Sequence, residues 1–184
     1  MQKRLFLGIS VPENVKKRLF RLVENKFQSL PVKWARPENM HITLSFLGHI
    51  QEENIPAICD SIRESLGNIG VFELDFEKIE YGPGQDSKRM IWATGKRSEE
   101  LEELKFRLES ALGDLRKEKK KFTPHITLGR IRRGEWLRLE KEPDIFEEYK
   151  FNVPVSSVEL LESKSEKGKR VYYTLESFPL NIKN

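Results

Sequence analysis

Cysteine is nearly absent: Cys59 is the only one in 184 residues. An internal disulfide is therefore excluded, and no Cys-x-x-Cys pair or Cys/His spacing exists that would hold structural zinc, so a reducing cytoplasm is the expected setting. Long apolar runs are missing too. No segment approaches the roughly 20 apolar residues needed to span a bilayer. The N-terminus offers a short apolar stretch before Pro12 and then a charged helix, without the longer apolar region and small-residue cleavage site of a secretory signal. Neither sign of charge dominates, since 33 basic and 29 acidic residues leave +4, which is compatible with an anionic ligand and too little to identify one. What is present suffices for a core: 38% of residues are apolar beneath a surface fed by 34% charged residues. The length is that of one large domain or two closely packed lobes.

Patterning along the chain alternates strand and helix. Arg4 to Ser10 reads as a buried strand, and Pro12 opens a helix whose apolar positions Val15, Leu19, Leu22, Val23 and Phe27 recur at helical spacing. Val32 to Ala35 is short and extended, Arg36 to Asn39 is a turn, and Met40 to Leu47 is a strand that Gly48 is expected to end. Glu52 to Leu66 follows as an amphipathic helix, then Val71 to Tyr81 as a half-buried strand. Met90 to Thr94 is a strand, and Ser98 caps a helix with Leu101, Leu104, Leu108 and Leu112 on one face. A basic run, Arg116 to Lys121, precedes an extended segment from Phe122 to Ile131. Glu135 to Tyr149 is ambiguous, and Phe151 to Ser163 with Arg170 to Phe178 reads as a closing hairpin around Lys167-Gly168-Lys169. Two similar halves without a linker predict a single α+β domain over 1–184, built by duplication.

One tetrapeptide occurs twice. His41-Ile42-Thr43-Leu44 and His125-Ile126-Thr127-Leu128 are identical and 84 residues apart, each in a predicted strand. Strand alternation puts His and Thr on one face and Ile and Leu on the other. Ile42, Leu44, Ile126 and Leu128 then anchor the core, leaving two histidines and two threonines to face a common cleft. A lone His-x-Thr is ordinarily a satisfied, partly buried pair, and it is the second copy that points to chemistry. Two histidines across one cleft suit in-line displacement at phosphorus, where a base deprotonates the attacking oxygen and an acid protonates the leaving one. The threonine hydroxyls and a nearby cation stabilise the non-bridging oxygens. No nucleotide cofactor is needed. His49 reads as a surface histidine in a loop after Gly48. It is also the natural third ligand if the site were metallic, a reading ranked below the metal-free one because no Asp or Glu sits at metalloprotease spacing.

These residues resemble a family. The paired His-x-Thr motifs stand with Trp34 and Pro37-Glu38-Asn39-Met40 before the first and Phe46-Leu47-Gly48 after it. Phe122-Thr123-Pro124 precedes the second, and Gly129-Arg130 follows it. The pattern is similar to the 2H phosphoesterase superfamily, and within it to the RNA 2′,3′-cyclic phosphodiesterases, also called 2′-5′ RNA ligases. Leu5-Phe6-Leu7, Leu160 to Ser163, Gly168, Tyr172 and Phe178-Pro179-Leu180 extend the resemblance nearly end to end.

The resemblance implies a bilobal, LigT-like fold with pseudo-twofold symmetry, its mainly antiparallel sheets flanking a central cleft with helices outside and each lobe giving one motif. It implies hydrolysis of a terminal RNA 2′,3′-cyclic phosphate to a 2′-phosphate in RNA processing, without metal or other cofactor, and the reverse 2′-5′ ligation as a side activity. Carried onto matching positions, His41 is the proton donor, His125 the proton acceptor, and Thr43 and Thr127 hold the phosphate. Arg130 matches a phosphate-contacting arginine, although strand parity puts it opposite His125 unless Gly129 breaks the strand. Trp34, Phe46 and Tyr172 are candidates to stack on a terminal base, and Arg116 to Lys121 to track an RNA backbone. The expected partners are RNA with a 2′,3′-cyclic end, such as tRNA halves, or nucleotides, met by a cytoplasmic monomer with no membrane contact. Two alternatives stay open: a phosphodiesterase for another cyclic phosphate or a 2′-5′ oligonucleotide, and a non-catalytic RNA-binding module.

Overall fold

The computed structural model describes residues 1–84, 87–113 and 122–182. The basic run Arg116 to Lys121 lies outside them. Strand β1 (Gln2–Ser10) is buried without interruption from Leu5 to Ile9, because both of its faces are covered. Pro12 then sets the entry to helix α1 (Glu13–Lys26), which buries Val15, Leu19, Leu22 and Val23 at helical spacing. After the short strand β2 (Val32–Trp34) and a 3₁₀ turn over Pro37–Asn39 comes β3 (His41–Gln51). Helix α2 (Ile55–Leu66), strands β4 (Phe72–Gly82) and β5 (Met90–Gly95), and helix α3 (Glu99–Leu112) follow. Ser98 caps α3 as the sequence predicts, its side chain accepting from Leu101 N at 3.2 Å. Strand β6 (His125–Ile131), helix α4 (Arg133–Trp136) and strands β7 (Glu147–Val155), β8 (Ser157–Glu166) and β9 (Lys169–Pro179) complete the chain.

Among the described residues the strands form one sheet in the order β7-β4-β5-β6-β3-β1-β8-β9, with β2 added to β6. All of the pairings between strands are antiparallel. The centre is narrow: β3 and β6 pair through Ile42 and Ile126 alone, so the sheet divides there into two four-stranded halves, β7-β4-β5-β6 and β3-β1-β8-β9. The duplication extends to register. Phe6↔Phe46, Leu7↔Ser45, Gly8↔Thr43 and Ser10↔His41 in the first half recur as Met90↔Arg130, Ile91↔Gly129, Trp92↔Thr127 and Thr94↔His125 in the second. Each half therefore carries the same bulge, at Leu44 and at Leu128.

The helices cover the face that holds Ile42, Leu44, Ile126 and Leu128, all at most 1% exposed and part of one apolar cluster. Two of them, α1 and α3, are exchanged between halves. Helix α1, which follows β1, reaches β7 through the Lys26–Glu147 ion pair and Arg18 over the Tyr149 ring. Helix α3, which follows β5, packs on α2 and sends Lys105 Nζ to the Leu44 carbonyl at 2.6 Å.

Three sequence expectations need correction. Gly48 does not end β3. It adopts φ 80° at a second bulge, where Leu5 pairs Gly48 and Phe6 pairs Phe46, so the strand bends and continues to Gln51. His49 accordingly lies in the strand opposite Arg4, exposed, and not in a loop. The run Phe151 to Ser163 is two strands: the chain passes from β4's neighbour in one half to β1's neighbour in the other at Ser156. The closing hairpin is β8–β9, turned by Lys167 and Gly168, both at positive φ as a two-residue hairpin turn demands. Among the described residues no helix is long and apolar enough to cross a membrane.

Candidate active site

Strands β3 and β6 bring the two motifs together. The Ile42–Ile126 pair has His41 and Thr127 on one side and Thr43 and His125 on the other, so the four polar side chains meet on the face away from the helices. All four are half-buried.

The two histidines are held in the same way. His41 Nδ1 lies 2.7 Å from the carbonyl of Asn39, and His125 Nδ1 lies 2.8 Å from that of Thr123. A carbonyl oxygen only accepts, so Nδ1 carries the proton in both rings and Nε2 is left as the bare nitrogen. Thr43 Oγ1 donates to His41 Nε2 at 3.0 Å. Burial lowers the pKa of His41 to about 4, against the Asn39 hydrogen bond and with smaller help from the positive charges of His125 and Lys16. Burial also lowers His125, again opposed by a backbone hydrogen bond, here to Thr123. Each free ring is thus a neutral base near pH 7.

The aromatic packing around the two rings differs. His41 lies among Phe6, with ring centroids 5.0 Å apart, and Tyr172, edge-on at 4.9 Å. Phe46 joins this group through Phe6 at 6.0 Å. His125 stacks on Trp92, with ring centroids 3.7 Å apart and planes 17° from parallel. The position that Trp92 fills is occupied by Gly8 in the first half. Gly82 makes room for the indole, since a Cβ there would stand 2.1 Å from Trp92 Cδ2.

Of the sequence candidates, His41, Thr43, His125, Thr127, Phe46 and Tyr172 are gathered on this face. Arg130 joins them for a reason that parity alone misses. The slip between Ile91↔Gly129 and Trp92↔Thr127 leaves Leu128 and Gly129 consecutively buried and returns Arg130, exposed, to the side of His125. Trp34 is not brought there: it shares the inner face of β2 with buried Val32, packs on Phe27 at 6.4 Å, and closes over Gly129. His49 stands apart on the outer stretch of β3, and among the described residues no group of three His, Cys, Asp or Glu side chains could hold a metal ion. Sequence patterning does not single out Phe6, Trp92 or Gly82. The 84-residue offset carried to the neighbouring strands sets Phe6 against Met90 and Trp92 against Gly8, so it finds neither ring.

Comparison with known proteins agrees with this architecture. A family model described as LigT like Phosphoesterase matches residues 9–92 and 95–172. An RNA 2′,3′-cyclic phosphodiesterase of Methanocaldococcus jannaschii is 32% identical over 136 residues, covering 70% of this chain and 72% of that protein. A solved structure from Thermus thermophilus superposes with a TM-score of 0.82 at 24% identity, over 98% of this chain and 100% of that one. Escherichia coli LigT complexed with 3′-AMP superposes with a TM-score of 0.78 at 20% identity, over 98% and 99%. With both motif-bearing segments inside the matched residues and the fold shared along its length, the chain belongs to the LigT like Phosphoesterase family.

Proposed function

We propose that this chain is an RNA 2′,3′-cyclic phosphodiesterase that works without metal through its two histidines, as one domain of two lobes that each supply one His-x-Thr motif. The activity is the one its relatives are named for. The observation that carries the reading is the duplicated second contact: each Nδ1 is fixed on a carbonyl two residues upstream, which leaves two basic Nε2 atoms on one face. An RNA-binding module has no use for that arrangement, since Lys and Arg hold phosphate as permanent cations.

In the proposed reaction water attacks phosphorus and gives its proton to His125 Nε2. The P–O3′ bond breaks, and O3′ takes the proton from a protonated His41 Nε2. The product is a 2′-phosphomonoester with a free 3′-hydroxyl. Thr43, Thr127 and Arg130 hold the non-bridging oxygens as charge builds there. The choice of His41 as acid and His125 as base follows the family resemblance. The anionic phosphate itself favours charging of the acid, whose free ring is neutral. A 5′-hydroxyl in place of water would form a 2′-5′ linkage by the same proton transfers. Tyr172, edge-on to His41, and Phe46, which reaches it through Phe6, are the proposed stacking partners of the terminal base. The proposed partners are cyclic-ended RNAs such as tRNA halves, met in the cytoplasm by a monomer.

The test is an RNA oligonucleotide with a 2′,3′-cyclic phosphate, incubated in excess EDTA, with products identified by mass and by phosphatase and periodate treatment. The expected product is a 2′-phosphate, and His41→Ala and His125→Ala each lower turnover by about a hundredfold to ten-thousandfold. Turnover retained in both variants, or restored only by added metal, overturns the mechanism.

A further inference from the structure

The β8–β9 hairpin has two unlike faces. On the outer face the charges are paired: Lys164 lies 3.4 Å from Glu162, Lys3 lies 3.9 Å from Glu162, and Tyr173 donates to Glu166 at 2.8 Å. Toward its turn, the face that continues the active-site surface carries Ser163, Ser165, Arg170 and Tyr172, while the acid of that face, Glu159, lies at the opposite end of β8 and accepts from Ser157 and Ser177. Arg170 is exposed, and among the described residues its guanidinium is tied only to a neutral group, donating to Ser163 Oγ at 3.3 Å. Arg4 stands on the same face two residues before Phe6, exposed and without an ion pair among the described residues.

These two cations are built into the catalytic frame. The Arg170 carbonyl accepts from Asn39 Nδ2 at 3.0 Å, and the carbonyl of the same Asn39 holds His41 Nδ1. Two residues on, Tyr172 meets both His41 and Phe6, the latter at 5.2 Å between ring centroids. On β1, which β8 separates from β9, Phe6 meets His41, and Arg4 follows it about 7 Å further along the same face. That step is comparable with the distance between consecutive phosphates of a nucleic-acid chain.

We infer that Arg4 and Arg170 form a subsite for the phosphodiester preceding the terminal nucleotide, so that the site recognises the end of a chain and not only a cyclic nucleotide. The inference rests on the RNA reading above and adds to it a second anionic contact. Two cations without an ion pair among the described residues lie about one nucleotide step beyond Phe6 and Tyr172, the rings that meet His41, whereas the reverse of the same hairpin pairs its charges. A phosphodiester supplies the missing anion, and a guanidinium matches it in a forked geometry.

The experiment compares kcat/KM on a 2′,3′-cyclic mononucleotide with that on a cyclic-ended trinucleotide, for the wild type and for R4Q/R170Q. The trinucleotide-to-mononucleotide ratio is expected to fall about tenfold to a hundredfold in the double variant. A wild-type measurement needs no substitution: replacing the last internucleotide phosphate of the trinucleotide by an uncharged methylphosphonate should cost a similar factor, and little more in the variant. An unchanged ratio, or equal turnover of the methylphosphonate, overturns the subsite. If the wild type hydrolyses neither cyclic end, the reading of the reaction fails. The subsite is then tested by fluorescence anisotropy of a labelled trinucleotide ending in 2′-phosphate, and equal affinity for both proteins overturns it.

Discussion

Removing the His41 imidazole should flatten the acid sensitivity of the fold. In the native protein burial holds His41 near pKa 4, whereas the unfolded chain takes up that proton near 6.5. Above pH 6.5 both states are neutral at this position and the full stability is present. As pH falls from 6.5 toward 4 the unfolded state binds a proton that the native state refuses, so stability is lost across this window and no further below it. At about 1.4 kcal/mol for each factor of ten in proton affinity, the loss from His41 is about 3 kcal/mol, a large share of the ordinary stability of a domain. His125, lowered by burial too, adds to it in the same direction. The assay is urea denaturation of the wild type and His41→Gln at pH 7.5, 6, 5 and 4. Other titrating groups are shared, so the difference between the two proteins isolates His41: relative to the variant, the wild type should lose about 3 kcal/mol between pH 7.5 and 4. Following the His41 ring proton by NMR should give a midpoint near 4, moving upward when a phosphate-bearing product occupies the site. Parallel stability curves, or a midpoint near 6.5, would refute the argument that the fold keeps this ring neutral.

Two further substitutions probe the neighbours of the histidines. Gly82→Ala places a Cβ 2.1 Å from the Trp92 indole, which must leave its stack on His125, and overpacking of this kind costs about 1–3 kcal/mol. Urea unfolding and kinetics should show that loss together with a fall in kcat, and wild-type values for both would mean that the stack positions nothing. Arg130→Ala should raise KM and lower kcat on a cyclic-ended oligonucleotide, with partial recovery in Arg130→Lys. Unchanged kinetics would remove Arg130 from the phosphate contacts.

Most of this architecture is written in short-range pattern. The helices follow apolar spacing such as Val15, Leu19, Leu22 and Val23, and the inward and outward sides of the two motifs follow from the two-residue period of a strand. What parity does not deliver is Arg130, because a bulge changes the pairing register without altering the alternation of residue types around it. Gly48 misleads in the opposite sense, since a glycine at positive φ bends a strand as readily as it ends one. The division of Phe151 to Ser163 is hidden because Val153, Val155, Val158 and Leu160 are all fully buried, on both sides of the crossing at Ser156. Phe6 and Trp92 act on histidines that are distant in sequence, and only the strand pairing brings them together.

The exchange of α1 and α3 between the two halves has a consequence for how the duplicated chain holds together. A cut near Gly95 separates the two matched segments without separating two independent folding units. The first fragment would keep α1 but lose β7, whose Glu147 and Tyr149 it packs against. It would also present the sheet around Leu44 without α3, whose Lys105 reaches the carbonyl there. Each half finishes the other's hydrophobic layer, so the repeats are interlocked like two hands with crossed thumbs. Proton donor and proton acceptor can thus belong to separate repeats while their relative position is fixed by the folding of the chain as a whole.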